Sequence, residues 1–506
     1  MKDLSRTRGD RSRTLGFVTL FLIEMWERFG YYGMTAVVVL YMVQRLSYGD
    51  DRANLTFGAF VALAYAIPAA GGYIGDKLLG SKRTMVIGAV VLVCGYILLA
   101  IPDRPSLLFP ALALVAVGGG VFKANPANLI SRLYEGDSAK IDSAFTMYYM
   151  AVNVGATLSQ IATPLIAIAI GWHAAFAVCA AGLVLGLLNY FFMRRFLAHV
   201  GSKPDFEPLD LRRLGLVLVG IAIGTVCVAF IIQNRDLARA LVLLAFLAMI
   251  VIFGWMMKHG TDRERKGLWA VIILTAEAML FFIFYQQMST SLTLFSLRNV
   301  DLNVFGYQVP AGQVQALNPI WIFILSPPLA WLYNRLGKKG GDFHISTKFT
   351  IGFAILALGF FLYGISGRFA HDDGKVSFSW MLAGYAFQSL GELLISGLGL
   401  AVYARYVKPS LRGFLMGVYF LSTGISQYLG SFVATYASVP EGVTSPMQSL
   451  PLYTNLFIKL GFVAIVGTII AAVLVPLMKR LPEAGMAEEP ARVLPVAATA
   501  AGGAAD

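Results

Sequence analysis

The chain is a succession of long apolar runs broken by short polar connectors. Each run is about the twenty residues that a helix needs to cross a hydrocarbon core about 30 Å thick. Fourteen such spans are predicted, near residues 17–43, 54–75, 84–101, 107–130, 144–170, 172–193, 214–233, 237–257, 268–290, 313–336, 349–366, 379–404, 412–437 and 452–478. The fold class this predicts is an all-α polytopic membrane protein, and an even number of spans puts both termini on one side. The first span breaks the pattern in its middle with Glu24, Glu27 and Arg28. At 1.5 Å rise per residue Arg28 lies roughly 16 Å from Phe17, near the bilayer midplane. Positions 24, 27, 28, 31 and 32 share one helical face. Charges at that depth must face a polar interior and be paired, so they mark a solute or proton pathway. A purely structural salt bridge is the alternative, but two carboxylates against one guanidinium leave a proton-binding surplus that such a bridge does not need.

Composition agrees with this reading. The 506 residues are 58% hydrophobic and 13% charged, with mean hydropathy +0.70, outside the range of soluble domains. Counting residues at span ends with their connector, 29 of the 40 Lys and Arg fall on the side of the N-terminus and 8 on the other, with Arg28, Lys123 and Lys459 inside spans. Both termini are therefore expected to be cytoplasmic. The net charge of +12 belongs to loops that face anionic lipid and not to a nucleic-acid site. Arg6, Arg8, Arg11 and Arg13 precede a run too long for a signal peptide, so the first helix is expected to be retained. Cys94, Cys179 and Cys227 form no disulfide or metal spacing, and no cofactor is expected.

Six spans, then two, then six is the natural partition. It gives an N-terminal six-helix bundle over 1–193, a linker with two inserted helices over 194–267, a C-terminal six-helix bundle over 268–481 and a disordered cytoplasmic tail over 482–506. Each bundle carries small residues and a basic turn after its second helix, at 71–83 and at 330–339, as a weak internal repeat. The first copy resembles the loop signature of the major facilitator superfamily, in which two six-helix halves rock about a central site.

Lys123 follows Gly118, Gly119 and Gly120 on the fourth span, where it serves either a pathway or merely the interface as a snorkelling lysine. Asn153, inside the fifth span, suits a polar solute or an interhelical hydrogen bond equally. Glu392 is the only acid of its span and the counterpart of Lys123 in the other half. A basic patch facing an acidic one suits a zwitterion, with Arg28 and Lys123 toward a carboxylate and Glu392 toward an ammonium group. Tyr65 before Pro68 and Asn318 before Pro319 add polar groups on helices expected to kink. Glu277 is a further intramembrane acid without an assigned place.

These residues resemble the proton-dependent oligopeptide transporters, bacterial di-/tripeptide permeases of the major facilitator superfamily, over almost the whole chain. Glu24-x-x-Glu27-Arg28-Phe29-x-Tyr31-Tyr32 is similar to that family's first-helix motif. The runs at Gly118 to Lys123, Phe145 to Gly155 and Gly391-Glu392-Leu393 look like its fourth-, fifth- and tenth-helix signatures, and the extra helix pair is similar to that of bacterial members. The resemblance implies proton-coupled import of di- and tripeptides by a monomer in a bacterial inner membrane, with protons as coupling ion. It implies proton coupling through Glu24, Glu27, Arg28 and Lys123, and peptide binding by Arg28, Tyr31, Tyr32, Tyr65, Lys123, Asn153, Asn318 and Glu392. Phe282, Gln286, Gln287, Ser396, Tyr419 and Thr423 would line or gate the pocket. The chain departs from many members in having Thr35 for an arginine, Gln286 for a glutamate and Tyr419 for a tryptophan. Rival readings are a same-fold importer of another small anion or zwitterion, a solute sensor, and a membrane enzyme. The last lacks any nucleophile–base pair or metal motif.

Overall fold

The computed structural model describes residues 2–102, 104–337, 343–395, 406, 409–440, 442–443 and 445–481. The proposed tail over 482–506 and Ser396 lie outside them. The described chain is almost wholly helical. Fourteen long helices follow one another: α1 (Lys2–Gln44), α2 (Asp50–Ala66), α3 (Ser81–Ala100), α4 (Leu108–Leu133), α5 (Ser138–Ala169), α6 (Trp172–Met193), α7 (Leu211–Gln233), α8 (Arg235–His259), α9 (Asp262–Gln286), α10 (Leu317–Gly337), α11 (Ile345–Ile365), α12 (Phe378–Ile395), α13 (Pro409–Ala434) and α14 (Pro446–Arg480). By length and apolarity 11 of them qualify as membrane spans. Helices α1, α12 and α13 carry Glu24 and Arg28, Glu392 and Gln427 respectively, polar groups that face the interior of the molecule.

Helices α1 to α6 pack on one another, chiefly α1 on α5 and α6 and α3 on α4 and α6. Helices α9 to α14 form a second group through α11 with α12 and α14, α10 with α12, and α9 with α13. The groups meet where α2 crosses α13 and where α5 meets α10 and the 3-10 turn Ala311–Ala316 that leads into it. The α2–α13 crossing is close because Gly58 faces Ser431 and Gly424 faces Ala62, so that a Cβ on Gly58 would lie 2.5 Å from that of Ser431. Helices α7 and α8 sit at the rim, α7 on α4 and α8 on α13 and α9. Leu216, Ile223, Phe230, Leu244, Val251 and Trp255 are exposed there, the apolar outer surface that lipid requires.

Proline interrupts two helices differently from the expectation. Helix α2 does break at Pro68 and continues through Pro68–Tyr73 and a widened π turn, Ile74–Leu78. Pro319, by contrast, stands in the first turn of α10, where its missing N–H has no partner to lose, and Pro327 and Pro328 are the prolines inside that helix. The loop after α2 is tied down on all sides. Asn128 donates to Asp76 at 2.6 Å, and Arg132 pairs with the same oxygen at 3.3 Å. Helix α3 starts at Gly80, whose lack of a side chain leaves the first N–H groups uncapped. The connector after α6 caps them, Ser202 Oγ accepting from Ser81 N at 2.9 Å and Asp205 Oδ1 from Lys82 N at 3.1 Å.

The face that carries the α1–α2 loop is closed across the two groups. Asp50, at the start of α2, holds Arg298 through two hydrogen bonds of 2.6 and 2.7 Å and accepts from Val439 N at 3.0 Å. Arg298 ends the short helix Ser291–Asn299, which follows α9 after a one-turn break at Gln287–Ser289, and it also donates to the Tyr453 hydroxyl at 2.5 Å.

Candidate functional site

The charged face of α1 turns inward. Arg28 Nε donates to Glu24 Oε1 at 2.8 Å and lies 2.9 Å from Glu27 Oε2, and all three side chains are at most 2% exposed. The i, i+4 spacing aligns Glu24 with Arg28 on the same face. The second Glu24 oxygen and one Arg28 amino group have no hydrogen bond among the described residues, so the triad has room for a further proton or ligand. Gly155 of α5 lets the helices close at this point, since a Cβ there would press on the Arg28 Cβ at 3.1 Å.

One turn further along α1, Tyr31 and Tyr32 line a cavity between the two helix groups. Tyr65, Asn153, Asn318, Gln286 and Glu392 line it too. Asn318 Nδ2 bridges Glu392 Oε2 at 2.6 Å and Ser389 Oγ at 3.1 Å, which aims the buried carboxylate from α12 toward α10 and the cavity. Asn153 donates to Tyr149 O at 3.0 Å.

Arg28 and Lys123 stand one layer behind this wall. Lys123 Nζ lies 4.6 Å over the Tyr65 ring, a cation–π contact, and makes no salt bridge among the described residues. The tyrosines of α1 and α2 thus separate the basic pair from the cavity, while the acid of the C-terminal half lies on it. Gln287 is a tie between helices, donating to Gly430 O of α13 at 2.9 Å. Phe282 packs edge-on against Phe281, 5.3 Å between centroids, and backs Tyr285. Tyr419 and Thr423 are buried one turn apart on α13, Thr423 Oγ1 donating to Tyr419 O at 2.9 Å; neither reaches the cavity wall. Glu277, 7% exposed, is buried on α9 with neither oxygen hydrogen-bonded among the described residues.

Sequence reasoning missed Tyr149, Gln160, Tyr285, Gln315 and Gln427, which also line the cavity. The available signal was weak, an isolated amide or phenol inside a span. Gln286, expected to line or gate the pocket, lies on the cavity wall, and so does Thr35, noted only as a departure from a family pattern.

The model of the POT family matches residues 82–450. Dipeptide and tripeptide permease B of Salmonella typhimurium is 42% identical over 467 residues, 92% of this chain and 95% of the relative. Among solved structures, a bacterial homologue of the human drug peptide transporters PepT1 and PepT2 superposes with TM-score 0.84 at 50% identity, covering 93% of this chain and 99% of that one. Tetrameric PepTSo2 gives 0.85 at 49% identity over 93% of this chain and 100% of that one. The chain has the major facilitator fold of these proteins: it belongs to the POT family of multi-pass membrane permeases and is a transporter, not an enzyme.

Proposed function

We propose that this protein is a proton-coupled symporter that imports di- and tripeptides across a bacterial inner membrane by alternating access, with both termini cytoplasmic. The observation that carries the reading is the buried Glu24–Arg28–Glu27 triad set one helical turn from an interbundle cavity. Two carboxylates share one guanidinium, so the triad can gain a proton without leaving Arg28 unpaired. With Glu24 and Glu27 both ionised, Arg28 is fully neutralised. Protonating one carboxylate frees guanidinium hydrogen-bonding capacity for a peptide carboxylate, with Lys123 as the second cation. Glu392, oriented by Asn318, takes the peptide ammonium group, and Tyr31, Tyr32, Tyr65 and Asn153 line the path between them. Glu392 also disfavours a plain anion as substrate.

Residues 1–193 and 268–481 act as the two rocking halves, with the inserted pair over 194–267 at their rim, and the Asp50–Arg298 contact closes the periplasmic face. A single chain contains the whole site, so one chain is the transporting unit whatever its assembly in the membrane. The test is uptake of a labelled dipeptide by purified protein in proteoliposomes. An inward proton gradient should drive accumulation above equilibrium, and a protonophore should abolish it. Equal uptake with and without the gradient overturns the coupling, and no uptake of any peptide overturns the substrate class.

A further inference from the structure

The cavity is divided by charge. Glu392 and Asn318 lie at one end. Toward the α1–α2 face the wall's larger polar groups are Thr35, Gln160, Gln286, Gln315 and Gln427, amides and a hydroxyl without a single charge, set among apolar side chains such as Phe57, Val61 and Met288. Gln286 and Gln315 are committed, Gln286 donating to Ser431 Oγ and Gln315 to Thr293 Oγ1, each at 2.9 Å. Gln160 and Gln427 are not. Each is more than nine-tenths buried, and each has an amide carbonyl with no hydrogen bond among the described residues. They face the cavity from opposite halves, α5 and α13. Gln160 stands seven residues beyond Asn153, two full turns along the same face.

A buried amide left unpaired disfavours the empty site and rewards a ligand that supplies the missing partner. Successive side chains of an extended peptide point to opposite sides. A peptide held by its termini across the two halves therefore sends one side chain toward this uncharged end. An amide or hydroxyl there offers both a donor and an acceptor. A carboxylate or ammonium would lose its water without meeting a counter-charge, and an apolar group would leave both glutamines unpaired. We propose that Gln160 and Gln427 form a side-chain subsite that selects uncharged polar residues, amides foremost, in the substrate. This rests on the peptide reading given above.

The experiment uses full-length protein in proteoliposomes and measures competition against labelled dialanine uptake. The competitors are dipeptides carrying Gln, Glu or Met, three side chains of nearly equal size, beside Ala in either order. In the wild type one order should show the Gln peptide competing roughly three- to tenfold better than its Glu and Met counterparts, the worth of a hydrogen bond to a buried partner. In Gln160→Leu, Gln427→Leu the Gln-to-Met ratio should fall to about one or invert, whatever the absolute rate, with each single substitution intermediate. A flat wild-type series, or a preference that survives the substitutions, overturns the subsite while dialanine uptake leaves the peptide reading standing. Absence of dialanine uptake in the wild type overturns the peptide reading itself. Should the double variant fail to fold, the two single variants and the wild-type series still decide.

Discussion

At the scale of single residues, the chemistry is concentrated in groups that the bilayer would reject if they were alone. Glu27→Gln removes one of two carboxylates around Arg28 yet leaves the Glu24 pair at 2.8 Å, so the guanidinium stays compensated. This variant should fold and catalyse peptide exchange across the membrane but lose accumulation against a gradient. Concentrative uptake by the Glu24→Gln, Glu27→Gln double variant would refute the assignment. The pair Thr35 and Gln286 gives a second case, since both line one cavity wall from opposite halves. Thr35→Arg or Gln286→Glu alone buries an unpaired charge at a cost of about 3–5 kcal/mol. The two together should recover much of that loss in thermal stability and uptake. Equal behaviour of all three variants would mean that the positions do not meet. The α1 motif was legible because charges inside an apolar run are expensive and conspicuous. Gln160 and Gln427 were not, because one amide barely changes the hydropathy of its span, and only the fold shows that two of them face one space.

At the scale of elements, function depends on contacts that close and open between helices. Long apolar runs revealed the helices well, since a lone segment in lipid satisfies its backbone only as a helix. They said nothing of which helices touch across the halves. The Asp50–Arg298–Tyr453 cluster joins residues that only folding brings together, and the Asp50 side chain is 2% exposed although it begins a helix next to a loop. Because Val439 N lies 3.0 Å from the Asp50 carboxylate, the two positions suit a cross-link. With Cys94, Cys179 and Cys227 replaced by serine, Asp50→Cys, Val439→Cys treated with a short thiol-reactive cross-linker should lose most of its uptake. A cleavable reagent should restore uptake on reduction. Undiminished uptake at complete cross-linking would show that this face need not open.

At the scale of the whole molecule, α1 to α6 pack on one another and α9 to α14 pack as a second group. What counting apolar runs cannot give is where the first group ends as a physical object. The connector after α6 is polar and reads as mere linkage, yet it furnishes the caps of α3. Ser202 Oγ also donates to Gly75 O at 2.6 Å, and Arg83 reaches back to Pro204 O and Glu207 O at 3.0 and 2.8 Å. Biosynthesis feels this arrangement. The hairpin of α2 and α3 leaves the ribosome long before residues 202–207, so its turn stays uncapped until the sixth helix has been made. Helix α3 then acquires its final start only as the connector follows. A gene divided between residues 208 and 210 should accordingly yield two fragments that reassociate into an active transporter when coexpressed. A division at residue 194 should give an N-terminal fragment that is degraded, which pulse-chase labelling of the two fragments would reveal.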